Sequence, residues 1–226
     1  MTNTTWRQAA FTTGPLCMTA YGLIRLTDPG HGPGPAWSLG HLALLAGVLL
    51  FGQVMLGLRR TAATGRGRVS RTFAGAGATL GLLGVAAVTA QTAIDLLVGY
   101  ASVDRATMNA LFERIHSWPG VTPAVYTVGP LLFYVGLLLL VAQLAALRAI
   151  AVWRPLAIVA GVAITAAGGL DLIPLSGLLF LAALAPLGKN ATTAPQPVLS
   201  SVTSGISRPE REARSLKSVK AGSAAI

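Results

Sequence analysis

Apolar residues along this chain fall in long blocks separated by short polar connections, without the strict alternation that marks half-buried strands. A helix needs roughly 20 apolar residues to cross a hydrocarbon core about 30 Å thick. Blocks of this kind run over about 9–24, 37–58, 73–100 and 123–147. The first is the most polar, holding Thr12, Thr13, Gly14, Pro15 and Thr19. A signal peptide is the rival reading there. Arg7 alone as the charged region, Pro15 within the apolar stretch and no clear small-residue cleavage site favour a retained helix. The last apolar region, 155–188, has 34 residues, about 51 Å as one helix and too long for a single crossing. Gly168, Gly169, Asp171 and Pro174 punctuate its middle, so it reads as two short helices over about 155–168 and 174–187. The pattern predicts an all-α polytopic transmembrane helical bundle of about six spans; a re-entrant piece in place of one short helix would give five.

A second period lies between the third and fourth blocks. Met108, Leu111, Phe112 and Ile115 recur at helical spacing, with Arg105, Asn109, Glu113 and His116 opposite them. Asp104 near the start and Pro119 beyond the end bound an amphipathic helix over about 104–117. It is expected to lie on the outer membrane interface or to lid the bundle.

Composition agrees with a membrane class. Only 11% of the 226 residues are charged, against about 25% in soluble domains, and 53% are hydrophobic. The net charge of +10 would suggest nucleic acid in a soluble protein. Here the basic residues sit between apolar blocks, so the positive-inside rule accounts for them and no nucleic-acid partner is expected. With both termini inside, the inner segments carry 14 of the 17 basic residues, and the connection Arg59–Arg71 alone holds five arginines. This predicts a multi-pass protein of the plasma (inner) membrane with cytoplasmic termini. Anionic lipids are expected at the basic inner loop and at a basic, disordered cytoplasmic tail over 189–226, which is rich in Ser, Ala, Thr and Pro.

The candidate chemistry gathers on the other side. Asp28, Asp95, Asp104, Glu113 and Asp171 fall in or near the outer half, with His31, His41 and His116. Inner loops select for arginine, so part of this asymmetry arises by default; the functional reading is an outward-facing polar vestibule. Asp95 lies about five residues, roughly 7 Å, from the outer end of its helix and shares a face with Gln91. An ionisable residue inside a bilayer is a functional-site hypothesis by default, against which stands simple contact with interfacial water. Asp171 sits in the turn between the two short helices, where capping the next helix is the plainer role. Should the two carboxylates meet, they could share a proton or receive a cation. Asp95 and Asp171 are therefore the catalytic candidates, and His41, Gln91, Asp95, Tyr126, Tyr134 and Asp171 the ligand-binding candidates. Tyr126 and Tyr134 flank Gly129–Pro130, where proline is expected to kink the fourth long helix. Gln53 and Gln143 read as interhelical hydrogen bonders, and the run Gly77–Gly81 with Gly84 as a face for close packing within the chain.

No nucleotide loop, catalytic signature or metal-ligand spacing occurs, and the single cysteine, Cys17, excludes an intrachain disulfide and a cysteine metal cluster. No metal and no cofactor is expected. Over about 9–188 the chain resembles small polytopic membrane proteins of high-GC bacteria, most distinctively in DRATMNALFERI (104–115) and VYTVGPLLFY (125–134). This general resemblance implies no particular activity. In architecture it is also similar to small membrane-bound terpene cyclases, which protonate an isoprenoid with intramembrane acids. That resemblance implies Asp95 and Asp171 as the acids, although the chain has no membrane-buried Glu. The leading expectation is a protein that binds or transports a small amphiphilic compound, for export or self-protection. The alternatives are a membrane-embedded enzyme acting on an isoprenoid or lipid, and an accessory subunit of a membrane complex.

Overall fold

A computed structural model describes residues 3–64 and 66–190; all statements below concern those residues. Every element among them is helical: α1 (Asn3–Leu26), α2 (Pro35–Ala63), α3 (Arg68–Ala101), α4 (Arg105–His116), a π-helical turn (Thr122–Val128) running into α5 (Gly129–Ala146), α6 (Trp153–Gly168), a 3-10 turn (Leu170–Leu172) and α7 (Ile173–Asn190). The expected tail beyond Asn190 lies outside the described residues. Four segments are long and apolar enough to cross a membrane: Pro35–Ala63, Arg68–Ala101, Thr122–Ala146 and Leu170–Gly188. α6 is apolar but shorter. α1 has 24 residues and continues through Pro15.

The long helices close into a ring. α2 packs between α1 and α3, α3 against α5, α5 against α6, α6 against α7, and α7 back on α1, with α2 and α5 also touching across the ring. Large apolar side chains nevertheless remain exposed on the outside of these helices, among them Leu23, Leu49, Phe73, Leu97, Leu131 and Leu178. In water such a surface would drive association; in lipid it is the correct one.

Small residues set how closely the helices approach. A side-chain carbon added at Gly136 would collide with the backbone of Gly81, and one added at Gly84 with the backbone of Phe133. α3 and α5 therefore cross backbone to backbone, as the glycine run in α3 suggests. On the far side of the ring, Gly177 of α7 meets the backbone of Thr19 in α1.

Two local irregularities shape the polar end. Gly169 takes φ +79, a left-handed conformation that ends α6, and the 3-10 turn that follows redirects the chain into α7. Before α5 the backbone widens into a π-helix, where the Gly129 amide bonds the Ala124 carbonyl. Pro130 has no amide to give and would crowd the carbonyl of Tyr126 in a regular helix; the wider turn accommodates it. Of the two expected glutamine bridges one forms. Gln143 Nε2 donates to the Ser70 carbonyl at 2.8 Å and to Ser70 Oγ at 3.0 Å. Gln53 points outward and is exposed on the surface of α2, because its rotation about the helix axis turns Val54 and Met55 inward instead.

Candidate functional site

The site starts from one turn of α2. His41 follows Trp37 by four residues, so both side chains lie on one helix face. His41 Nδ1 is 2.8 Å from the Trp37 carbonyl oxygen. A carbonyl can only accept, so Nδ1 carries the proton and Nε2 faces the other way. There it meets Asp95 of α3, with Nε2 3.7 Å from Oδ2. Trp37 holds the two helices in register: its indole N–H donates to the Asp95 backbone carbonyl at 2.9 Å, and its ring packs on Gly99, where no side chain would fit. The same ring lies 4.2 Å from the imidazole of His41, centroid to centroid. The second carboxylate oxygen, Oδ1, accepts a hydrogen bond from the Tyr126 hydroxyl at 3.0 Å. The π-helical turn is what carries Tyr126 to this position. His41 and Asp95 are 5% and 8% exposed, buried enough that each needs these partners.

α4 covers the cluster. Met108 is buried under it, Phe112 packs on Trp37 at 6.2 Å, and His116 stands edge-on to Tyr126 at 4.7 Å. The helix is started by Asp104, whose Oδ1 accepts from the Thr107 amide at 2.7 Å. That hydrogen bond holds the Asp104 carboxyl below its ordinary value.

Beside the cluster lies a cavity of about 400 Å³ in the middle of the ring. Its walls are mainly apolar, with Met18 and Phe51 among them, and Tyr21, Gln91, Tyr126, Tyr134 and Thr165 are the polar residues that line it. Thr165 is engaged with Ser176 at 2.6 Å. Gln91 Oε1 is buried with no hydrogen-bond partner. The wall thus carries three tyrosines and one glutamine in an otherwise oily space.

The structure brings five of the six candidates for ligand binding into one region. Gln91, Tyr126 and Tyr134 line the cavity, and Asp95 and His41 stand directly behind Tyr126. Asp171 is elsewhere. Its side chain is 63% exposed, and its Oδ1 lies 3.5 Å from Arg25 Nε, so it pairs with an arginine on α1 and not with Asp95's partners. Trp37 and Tyr21 were not singled out from sequence. Tyr21 lines the cavity and sits edge-on to His41 at 5.4 Å. A signal for Trp37 existed: it precedes His41 by one helical turn. No trio of His, Cys, Asp or Glu among the described residues converges as a metal site. No protein-family model, curated protein or solved structure matches the chain. The reading of the site therefore rests on its geometry.

Proposed function

We propose that this chain is a six-span protein of a bacterial plasma membrane, with both termini cytoplasmic, that binds a small amphiphilic compound between its helices and carries it for export or self-protection. The observation that supports this reading is the cavity of about 400 Å³, within the range of small-molecule sites, oily on most sides and furnished with a few polar atoms. Its size suits a compact hydrophobic molecule with one or two hydrogen-bonding groups. The orientation follows from charge. Arg59, Arg60, Arg66, Arg68 and Arg71 cluster where α2 ends and α3 begins, which suits an anionic inner leaflet. His41, Asp95 and the covering helix α4 then face outward. α1 and α6 supply the two further crossings; α1 spans about 36 Å at 1.5 Å per residue.

Acid-initiated isoprenoid chemistry would need a carboxyl on the cavity wall. The described wall carries none, Asp95 standing behind Tyr126 and Asp171 beside Arg25. An accessory subunit would need neither a cavity nor a polar cluster, and its small residues would face a partner; here Gly81, Gly84 and Gly136 are spent inside the chain.

Binding of an environment-sensitive hydrophobic dye to the purified protein in lipid nanodiscs tests the reading. Val48 lines the cavity and Leu49, next to it, faces outward. Val48→Trp should weaken dye binding at least tenfold, and Leu49→Trp should leave it unchanged. Equal binding by both variants would show that the dye sits on the outer surface and would sink the proposal.

A further inference from the structure

The pairing of His41 with Asp95 has a consequence for protons. Because Nδ1 gives its hydrogen to the Trp37 carbonyl, a neutral His41 presents a bare lone pair to Asp95 Oδ2. Opposite an ionised carboxylate in a water-poor interior, that arrangement is repulsive on both sides. One added proton turns it into an attraction, whether the proton rides on nitrogen or on oxygen. We propose that His41 and Asp95 hold one proton between them, and that this proton controls how tightly the neighbouring cavity binds its ligand.

The link is Tyr126. Its hydroxyl has a single hydrogen, which it donates to Asp95 Oδ1 while its side chain also lines the cavity. A bare carboxylate claims that hydrogen most strongly, since hydrogen bonds to ionised acceptors are about twice as strong as neutral ones. When the carboxylate shares a proton with His41, the hydroxyl is freed to turn toward an acceptor in the cavity. The ligand class follows: a hydrophobic molecule carrying a carbonyl or ether oxygen, which Tyr126 can reach. Binding then draws in up to one proton, and affinity rises as pH falls. In transport terms the protein would move its ligand together with a proton. This rests on the cavity being a binding site, as proposed above.

The other ionisable groups around the pair fit a route from the polar end. Tyr21 and Arg25 approach from α1, Asp28 and His31 from the turn after it, and His116 from α4, where it abuts Tyr126. Arg25 would oppose an added proton, but Asp171 stands beside it. Between His41 and the turn carrying Asp28 and His31 lies a void of about 20 Å³, room for one water. A proton can therefore reach His41 without crossing the packed arginine-rich end.

Two measurements separate this proposal from the reading beneath it. The first needs no ligand. Nitrogen-15 NMR of histidine, with His41 assigned by the signals lost in His41→Gln, and infrared spectroscopy of the Asp95 carboxyl, assigned with Asp95→Asn, follow both groups over about pH 5 to 8. The expected result is Nδ1 protonated throughout and a single step, one proton in all, seen on both groups in the same interval. Two independent steps, or an Nδ1 without a proton, overturn the shared proton. The second is calorimetry of a hydrophobic ketone probe in buffers of different ionisation enthalpy. The wild type should take up as much as one proton on binding and gain up to about tenfold in affinity per pH unit of acidification. Tyr126→Phe, which lacks the hydroxyl, should bind the probe more weakly and without proton uptake. Binding without uptake in the wild type overturns the coupling. Failure of any probe to bind, with the single step intact, overturns the cavity reading and the coupling, and leaves the shared proton standing.

Discussion

At the arginine-rich end of the bundle, Phe11, Leu58 and Leu144 are each 1% exposed, and the void they line measures about 30 Å³. At the other end the same six helices surround about 400 Å³ of empty space and bury a carboxylate against an imidazole. Both ends are built from similar apolar helices, so the difference lies in individual positions. Glycines bring α3 and α5 into backbone contact near mid-helix, Gly81 against Gly136 and Gly84 against Phe133, which itself lines the cavity. Toward the polar end the backbone leaves regular α-helix at the π-helical turn and at Gly169, next to Tyr126 and Leu170 of the cavity wall. A cavity lowers stability in proportion to its volume, and larger side chains could have filled this one. The tight apolar packing thus lies toward one end of the bundle, and the cavity with the buried polar cluster toward the other.

Substitutions should separate the halves accordingly. The largest effect is expected at the packed crossing of α3 and α5. Gly136→Leu forces its side chain into the Gly81 backbone and should abolish recovery of folded, monodisperse protein, read by size-exclusion chromatography. A wild-type profile would show that the helices separate at little cost. Next comes Val48→Trp in the hollow half, which should leave thermal unfolding unchanged or shifted upward while dye binding falls at least tenfold; a large drop in melting temperature would mean that the cavity is absent in the membrane. Tyr126→Phe should be milder, costing about 1 kcal/mol through loss of the hydrogen bond to Asp95, by thermal unfolding in nanodiscs. The smallest effect is at the covering helix. Asp104→Ala should speed amide hydrogen exchange in Arg105–His116 and leave the bundle unaltered. The Asp104 carboxyl is held below its ordinary value of 3.8, so its contribution to α4 is complete above that pH and lost as pH falls through the lowered value. Exchange in α4 that is indifferent to strongly acidic pH would remove Asp104 as its cap.

How much of this was readable beforehand divides along the same line. Long apolar runs announce helices by themselves, because length and hydropathy are properties of one segment. The all-helical class and the long spanning helices were legible for that reason, and so were Gln91, Asp95 and His41 as polar residues in oily surroundings. That His41, Asp95 and Tyr126 meet was not legible, since it depends on the rotation of three helices about their axes. The same limit explains Gln53, whose side chain turned out to face outward, and Asp171, which meets Arg25. Trp37, whose indole ties α2 to α3, was not legible either, because that bond depends on how the two helices are rotated. The π-helical turn has no reliable pattern in sequence beyond Gly129–Pro130 itself.

The central claim, that the hollow half receives a ligand, is tested most directly by locating one. Crystals or grids of the protein prepared with a brominated hydrophobic ketone would show the heavy atom by its own scattering. The account predicts a bromine peak inside the ring, between Phe51, Tyr126 and Tyr134. Bromine confined to the lipid-facing surface, with the cavity empty or closed, would contradict it.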